Sequence, residues 1–404
     1  MNENRYDNGG VFVQYIKLNH VRPGMRLARP IYNKNGVLLY ERDTKLTPQG
    51  ISSIKNFGLW GLYILEPAEP VPPLSEEDVE LERFLTVSTF RLKDDLTLLL
   101  NNMKPQNILP LAQEILRKFG GVDHRINFAI TLRSNGDYIY KHSLNTAILA
   151  AIMVNRLQYA YPEQLAIVCA ALVHDAGLLL VPEEILEKGE RLLSPDERRL
   201  IRGYREKGYQ FLHPDYNDYK FPELTLQIVG QTTRLEHSVS TPMPKNIRWK
   251  NGTHVLHTAS MFDEMTSMHL DREPVSELAA IRFLRKHTDH YPAAFVTALT
   301  QCIHILPGGR CVEFSNGQKG IVIEENQKNY AQPVVILFST NQRVDFKDSK
   351  FQKTMHISDV MKTMDARLKV DRDTFKQYAS DARTRETAVR FLEKRKKLAA
   401  AGRM

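Results

Sequence analysis

Apolar residues change their spacing along this chain, and the changes predict three kinds of structure. Residues 1–66 contain short alternating runs such as "VQYIKL", and "NKNG" between two such runs is typical of a β-hairpin turn. Over residues 79–305 apolar positions recur at i, i+3 and i+4, which indicates helices. Residues 306–345 return to a period of two around "SNGQ", a second turn. We predict a mainly α protein with a small N-terminal β-rich module, an all-helical domain and a short C-terminal β-appendage.

Two further segments complete this predicted organisation. Residues 67–78, "PAEPVPPLSEED", are rich in Pro and Glu and predict a semi-extended linker. Residues 346–404 are predicted to form a basic helical tail that ends in "TRETAVRFLEKRKKLAAAGRM". Two interpretations of this tail stay open: a solvated helix whose Glu and Arg or Lys side chains pair along its surface, and a segment that binds an anionic partner.

Composition limits the class of protein. The chain has 404 residues, of which 42% are hydrophobic and 25% charged, so it is typical of a globular protein with two or three domains. The net charge is +8, yet no aromatic residues are interleaved with the basic ones as in a nucleic-acid-binding surface. We expect no nucleic-acid partner. The oligomeric state is left open by the sequence.

The expected location of the protein rests on its N-terminal sequence and on its longest apolar stretch. The N-terminus "MNENRYDNGG" lacks the basic-then-apolar pattern of a signal peptide. Residues 165–182 are interrupted by an ionisable pair and a glycine, so no transmembrane segment is predicted. Cys169, Cys302 and Cys311 lack the paired spacing of a metal site and are predicted to be reduced thiols. We therefore expect a cytoplasmic protein.

The candidate chemistry lies in "ALVHDAGLLLVPEEIL", where His174 and Asp175 are adjacent within an apolar run. Burial of ionisable groups is costly unless a charge or hydrogen bonds compensate it. His142 lies one predicted helix earlier, in "YIYKHSLNTAILAAIM", and antiparallel helices would bring the three side chains together. Two histidines and one carboxylate match a site for a single divalent ion. A hydrogen-bonded core network of the same three residues is the alternative.

These motifs resemble the HD-GYP family of bacterial metal-dependent phosphodiesterases that hydrolyse cyclic di-GMP. The resemblance rests on "YKHSLNTAILAAIM", "ALVHDAGLLLVPEEILEKGERLLSPDERRLI", "KGYQFL", "MFDEMTS" and "LPGGRCVEFSNGQKGIVIEENQ". It extends from about residue 100 to about residue 340 and implies an all-helical HD-type domain. Residues 14–66 resemble the small module that often precedes such domains.

The resemblance implies a site with two or three metals, commonly iron or manganese, of which this chain keeps only part. His142, His174 and Asp175 match three of the family's ligands. The chain departs from the family at its other ligand, phosphate-binding and Gly-Tyr-Pro positions, which fall on Leu178, Tyr204, Thr232, Thr233, Ser240, Thr241 and Ser260. Because threonine and tyrosine hydroxyls stay protonated near neutral pH, they are poor replacements for such ligands. We therefore expect the two-metal mechanism to be lost.

Two arginines are candidate ligand-binding residues. Arg234 occupies the position of a family glutamate, and Arg272 matches an arginine that follows the "TS" stretch. Arginine grips phosphate groups bidentately, so binding of cyclic di-GMP without hydrolysis is chemically reasonable. Pairing of Arg234 with Glu236 or with solvent is the alternative.

Three functions follow as hypotheses. The first is a catalytically degenerate HD-GYP protein that acts in cyclic di-GMP signalling as a receptor or an adaptor for signalling and scaffold proteins, without a cofactor. The second is an atypical phosphodiesterase that uses His142, His174 and Asp175 to hold a single iron or manganese ion. The third is a scaffold or localisation protein that binds partners through its N-terminal module and basic tail.

Overall fold

A computed structural model describes the chain between residues 13 and 360. Within this span the described residues leave out 28–29, 33–36, 42, 57–60, 66–75, 127–136, 187, 189–191, 217, 236–243, 245, 268–274, 309 and 341. The basic stretch of the predicted tail lies outside the described residues, which end at residue 360.

The N-terminal part combines short strands with one helix around a core of its own. Its elements are β1 Val13–Lys17, β2 Arg26–Leu27, β3 Ile31–Tyr32, β4 Leu38–Tyr40, α1 Pro48–Lys55 and β5 Gly61–Leu65. Strands β1, β5 and β2 form one antiparallel sheet in that order, and β3 pairs with β4. The residues of the predicted "NKNG" turn, between β3 and β4 in the sequence, lie outside the described ones. Thr47 caps α1 by accepting a hydrogen bond from the Gly50 N–H at 3.1 Å.

Helices form most of the described chain from residue 76 to residue 302. They are α2 Glu76–Leu100, α3 Ile108–Ile115, α4 Tyr138–Arg156, α5 Tyr161–Val173, α6 Glu183–Leu186, α7 Pro195–Gln210, α8 Glu223–Thr232, α9 Asn251–Thr266, α10 Glu277–Lys286 and α11 Ala293–Cys302. A 3₁₀ helix, Ala176–Leu180, follows α5, and a π turn, Leu116–Gly120, follows α3. The predicted mainly α fold is confirmed.

Helix α4 lies at the centre of the helical domain. From Ser143 to Val154 every residue of α4 is buried, because the segment is apolar or small on all sides. It packs against α5 and α9. These helices carry the histidines and carboxylates of the candidate site, so the site is built on the most buried part of the fold.

Helix α7 begins where the sequence predicts. Ser194 is the N-cap and Pro195 the first helical residue, and Ser194 and Glu197 form a reciprocal capping box. Although α7 is rich in charged residues, it packs closely against the 3₁₀ helix. This contact positions one face of α7 beside the end of α5.

The β-appendage is an antiparallel sheet of five strands in the order β10–β6–β7–β8–β9. The strands are β6 Cys311–Phe314, β7 Lys319–Glu324, β8 Val334–Leu337, β9 Arg343–Asp345 and β10 Ile357–Val360. The predicted "SNGQ" turn joins β6 to β7, and Gly317 has the positive φ of 77° that this turn requires. Glu325 links the sheet to the helical domain, since its carboxylate oxygens lie 2.9 Å from Arg125 and 2.6 Å from His304.

Two predicted boundaries differ from the structure. The appendage does not end at residue 345, because helix α12, Ser349–Thr354, leads into β10, and β10 pairs with β6. Ile357 and Val360 of β10 are buried, which explains why a segment assigned to the tail joins the sheet. Helix α2 already begins at Glu76, within the predicted linker 67–78, whose residues up to 75 lie outside the described ones.

One described segment, Tyr161–Leu180, is long and apolar enough to cross a membrane by length and composition, which the sequence prediction did not expect. Its apolar window is 72% buried inside the protein, and core helices of soluble proteins pass the same test, so the observation is weak support for a membrane span. Cys169, Cys302 and Cys311 are buried, and none of them is in a disulfide. Burial raises the pKa of Cys169 and of Cys302 to about 12, so both remain protonated at neutral pH.

Candidate metal centre

Three ionisable side chains meet where α5 ends against α4. His142 lies in the second turn of α4, His174 is the C-cap of α5, and Asp175 precedes the 3₁₀ helix. Each residue offers one ligand atom, a histidine nitrogen or a carboxylate oxygen, and these three atoms lie within 4.8 Å of one another. All three residues are buried. We call His142, His174 and Asp175 the donor group. The sequence predicts this meeting, and the structure brings the three residues together.

Helix α9 orients His142. Its Nδ1 lies 2.7 Å from Oδ2 of Asp263, and Asn145 donates a hydrogen bond to the other oxygen of that carboxylate at 2.9 Å. A carboxylate accepts hydrogen bonds, so His142 carries its proton on Nδ1 and presents a lone pair at Nε2. That Nε2 lies 3.0 Å from Oγ of Ser260, which donates to it. Asp263 thus holds the ring in the tautomer that a metal ligand needs.

His174 presents the second nitrogen donor. Its Nδ1 lies 2.9 Å from the carbonyl oxygen of Ala171, to which it donates. Its Nε2 is buried and has no hydrogen-bond partner among the described residues. Burial lowers the pKa of His174 to about 4, against the opposing effect of the Asp175 carboxylate, and His142 and Arg205 lower it further. The imidazole is therefore neutral at neutral pH.

The donor group fits one divalent ion. Oδ2 of Asp175 lies 3.7 Å from Nε2 of His142 and 3.5 Å from Nε2 of His174, so two imidazole nitrogens and one carboxylate oxygen converge. Buried polar atoms are normally satisfied, and the unpartnered Nε2 of His174 is the atom that an ion would complete. A divalent ion held there would supply Lewis-acid polarisation of a phosphoryl oxygen.

Arg205 completes the charge balance of the site, although the sequence pattern did not single it out. This side chain of α7 places an Nη2 atom 3.2 Å from Oδ1 of Asp175, and the two side chains are only 13% and 5% exposed. Arginine stays protonated in proteins, so it supplies a permanent positive charge to the buried carboxylate. A signal was present, because Arg205 directly follows Tyr204, a position that the resemblance assigns to the site.

Two glycines allow α7 to approach closely enough for this ion pair. A Cβ on Gly177 would lie 2.2 Å from the carbonyl oxygen of Tyr204, and a Cβ on Gly208 would lie 2.4 Å from the backbone of Gly177. Real Cβ atoms do not come so near to backbone atoms. The backbones therefore touch without intervening side chains, and Arg205 is brought to Asp175.

Four residues at which the chain departs from the HD-GYP family contact groups outside the donor group. Leu178 belongs to a small apolar cluster with Ile139 and Val181, against which Tyr204 packs. The hydroxyls of Thr232 and Thr233 donate to carbonyl groups within their own helical turn, at 2.7 and 3.1 Å. Of the predicted departures that the structure describes, Ser260 is the one that contacts the donor group by a hydrogen bond.

The two predicted ligand-binding arginines are not brought to the donor group. Arg234 is exposed at the end of α8, and no hydrogen bond or ion pair joins it to the donor group among the described residues. Its charge acts instead on Tyr209, whose pKa burial raises and Arg234 lowers in part. Arg272, like Ser240 and Thr241, lies outside the described residues.

The neutral state of His174 predicts acid sensitivity of the metal-free protein. Because its pKa of about 4 lies below the value of about 6.5 in an unfolded chain, the unfolded state binds more protons between these values. This contribution to stability is complete above pH 6.5 and is lost as the pH falls towards 4. We expect a loss of about 3 kcal/mol in the free energy of unfolding over that window.

Urea unfolding at several pH values in the presence of a chelator measures this effect. His174→Gln removes the titration, so the pH-dependence of its stability should be weaker than that of the wild type by the same amount. Parallel pH profiles for the two proteins would contradict the prediction.

Comparisons with known proteins concern the chain around this site. Residues 128–294 match the family model of the HD domain. A cyclic di-GMP phosphodiesterase of Pseudomonas aeruginosa is 22% identical over 220 residues, which cover 53% of this chain and 51% of that protein. The chain thus spans about half the length of this curated relative. Residues 128–294 are thus similar to an HD domain, and the chain is similar to a cyclic di-GMP phosphodiesterase.

One comparison concerns a solved structure. A protein of Bdellovibrio bacteriovorus, described as an HDG"Y"P protein, aligns with a TM-score of 0.43 and 14% sequence identity. The alignment covers 71% of this chain and 98% of that chain.

Proposed function

We propose that this HD-domain chain is a catalytically degenerate HD-GYP protein that acts in cyclic di-GMP signalling as a receptor or adaptor. The proposal rests on the contacts of the donor group. Ser260 hydrogen-bonds to Nε2 of His142, and Arg205 pairs with Asp175. A two-metal phosphodiesterase needs two ions about 3.5–4 Å apart, each with several ligands. The donor group has two histidine nitrogens and one carboxylate, which is enough to hold one ion.

The chemistry around the donor group supports loss of hydrolysis. Where the resemblance implies a phosphate-binding lysine, Leu178 lies in an apolar cluster. Where it implies a further histidine ligand, Tyr204 packs against the same cluster. An apolar side chain cannot neutralise a phosphoryl oxygen, and a phenol is a poor metal ligand near neutral pH. The retained groups then serve to hold the helices together and to shape a binding surface.

Cyclic di-GMP is the proposed ligand because the homologous Pseudomonas aeruginosa protein is named as its phosphodiesterase. Binding without hydrolysis would couple the nucleotide to signalling or scaffold proteins in the cytoplasm. Arg234 and Arg272 stay candidates for contacts with phosphate groups, since a guanidinium binds phosphate without a metal.

A single-metal phosphodiesterase is the second candidate. The unpartnered Nε2 of His174, beside the lone pair of His142 and Oδ2 of Asp175, favours it. In that case the donor group would hold one iron or manganese ion, and both histidines would be essential for activity.

Turnover and binding of cyclic di-GMP, measured on the same preparations, separate the two candidates. Protein purified without oxygen is supplied with Fe²⁺ or Mn²⁺, as wild type, as His174→Ala and as His356→Ala. His356 is an exposed control histidine before β10. We expect bound but intact nucleotide for wild type and His356→Ala. Hydrolysis that His174→Ala abolishes and His356→Ala preserves would establish the single-metal enzyme, and absence of both binding and turnover would contradict a cyclic di-GMP receptor.

A further inference from the structure

The buried carboxylate of Asp175 needs a positive charge nearby. Its side chain is 5% exposed, so water does little to stabilise the negative charge. Arg205 places its guanidinium group, which carries a positive charge, 3.2 Å from Oδ1. The described site thus contains its own counter-ion.

The arrangement divides the two oxygens of Asp175 between two partners. Oδ1 faces Arg205, whereas Oδ2 faces the Nε2 atoms of His142 and His174. An ion in the donor group would bind Oδ2 and would share the carboxylate with the guanidinium. Like charges repel strongly in a buried setting, where the effective dielectric constant is about 20 rather than 80.

The position of Arg205 is fixed by the backbone. Gly177 of the 3₁₀ helix lies against the backbone of Tyr204 and Arg205, and Gly208 of α7 lies against Gly177, so the two helices are in direct contact. The side chain is 13% exposed and its Nε has no hydrogen-bond partner among the described residues. Because the guanidinium is largely buried, retreat into solvent on metal binding would require α7 to move.

We propose that Arg205 is the resident cation of the donor group: it stabilises Asp175 in the metal-free protein and weakens binding of divalent ions. The inference rests on the proposed function, because it explains how an HD domain that does not hydrolyse its nucleotide keeps a buried carboxylate. It predicts that a metal ion and Arg205 compete for the same charge.

The test is the affinity of the full chain for Mn²⁺ alone, measured by titration calorimetry without nucleotide. Arg205→Met removes the charge and keeps an unbranched side chain. We expect Arg205→Met to bind Mn²⁺ at least about tenfold more tightly than the wild type does. Arg205→Met combined with His174→Ala should lose this gain, which locates the ion in the donor group.

Matched variants distinguish the effect of the positive charge from the effect of losing the arginine side chain. Arg199→Met removes an exposed arginine of the same helix, whose guanidinium pairs with Asp196 at the surface, and should leave Mn²⁺ affinity unchanged. Arg205→Lys keeps the charge and should bind Mn²⁺ as weakly as the wild type. If Arg205→Met does not fold, Arg205→Gln takes its place, since its amide can still donate to Asp175.

Thermal unfolding in a chelator gives a second readout. Arg205→Met should unfold at a lower temperature than the wild type, because an uncompensated carboxylate remains buried, and Mn²⁺ should restore its melting temperature. A merely structural arginine would lower both stability and metal affinity when it is removed. Equal or weaker Mn²⁺ binding by the neutral variants would overturn the proposal.

The outcome does not depend on the nucleotide experiment. Metal-dependent hydrolysis by the wild type would refute the proposed function and leave the Mn²⁺ comparison to decide the role of Arg205. Unchanged Mn²⁺ affinity together with intact nucleotide would refute the role of Arg205 alone.

Discussion

Gly208→Ala should destabilise the protein by about 3 kcal/mol or more, although it places a better helix former in the last turn of α7. The new Cβ would lie 2.4 Å from the backbone N and Cα of Gly177, so α7 and the 3₁₀ helix must separate. That movement would also lengthen the ion pair between Arg205 and Asp175. Urea unfolding of the variant and of the wild type measures the loss.

Gly203→Ala is the matched control on the same helix. Nothing lies within 4 Å of the position that its Cβ would occupy, and the residue is exposed. We expect an increase in the free energy of unfolding of about 1 kcal/mol, because alanine has the higher helix propensity. Similar effects of the two substitutions would show that close backbone packing does not hold α7 in place.

Asp263→Ala should cost about 3–5 kcal/mol in the free energy of unfolding. Its buried carboxylate accepts hydrogen bonds from Nδ1 of His142 and from the amide of Asn145, at 2.7 and 2.9 Å. Truncation leaves two buried donors without these acceptors, and desolvated donors are expensive. It also frees His142 to take the other tautomer. Chemical unfolding at neutral pH measures the change.

Two substitutions bracket this result. Asp263→Asn keeps one acceptor oxygen but turns a second donor towards the network, so its stability should lie between those of Asp263→Ala and the wild type. Asp289→Ala removes an exposed carboxylate and should change stability by no more than about 0.5 kcal/mol. Equal stability of Asp263→Ala and Asp289→Ala would mean that the hydrogen bonds of Asp263 contribute nothing measurable.

The helical domain and the donor group were predictable because their signals are local. Helical periodicity, the N-cap at Ser194 and the pair formed by His174 and Asp175 each need only a short window of sequence. The approach of His142 follows from the packing of antiparallel helices. The resemblance to HD-GYP proteins adds the order of these motifs along the chain.

The sequence did not predict the roles of Asp263 and Arg205, for a physical reason. Charged residues in helices usually face solvent, so neither residue is distinguished by its type alone. Asp263 lies three residues after Ser260 on α9, the spacing that places both on one face, and this was the available signal. For Arg205 the decisive fact is the contact between Gly177 and Gly208, which are 31 residues apart in sequence and which no periodicity reveals.

The boundary of the β-appendage was missed because strand pairing is non-local. Strand β10 has four residues and follows a short helix, so its sequence resembles the start of the helical tail. Only its partner β6, more than forty residues earlier, makes it a strand. Arg282 of α10 then donates to the carbonyl groups of Ile357 and Ser358, at 2.5 Å each, and ties β10 to the helices.

The position of β10 also sets an order of events during synthesis. Strands β6 to β9 lie close together in sequence and can pair as they leave the ribosome, whereas the edge of β6 stays open until Val360 has been made. An open strand edge is a template for pairing with other chains. Translation that stops between residues 345 and 357 would therefore release a nascent protein in which helices α1 to α11 are complete and the edge of β6 is unpaired.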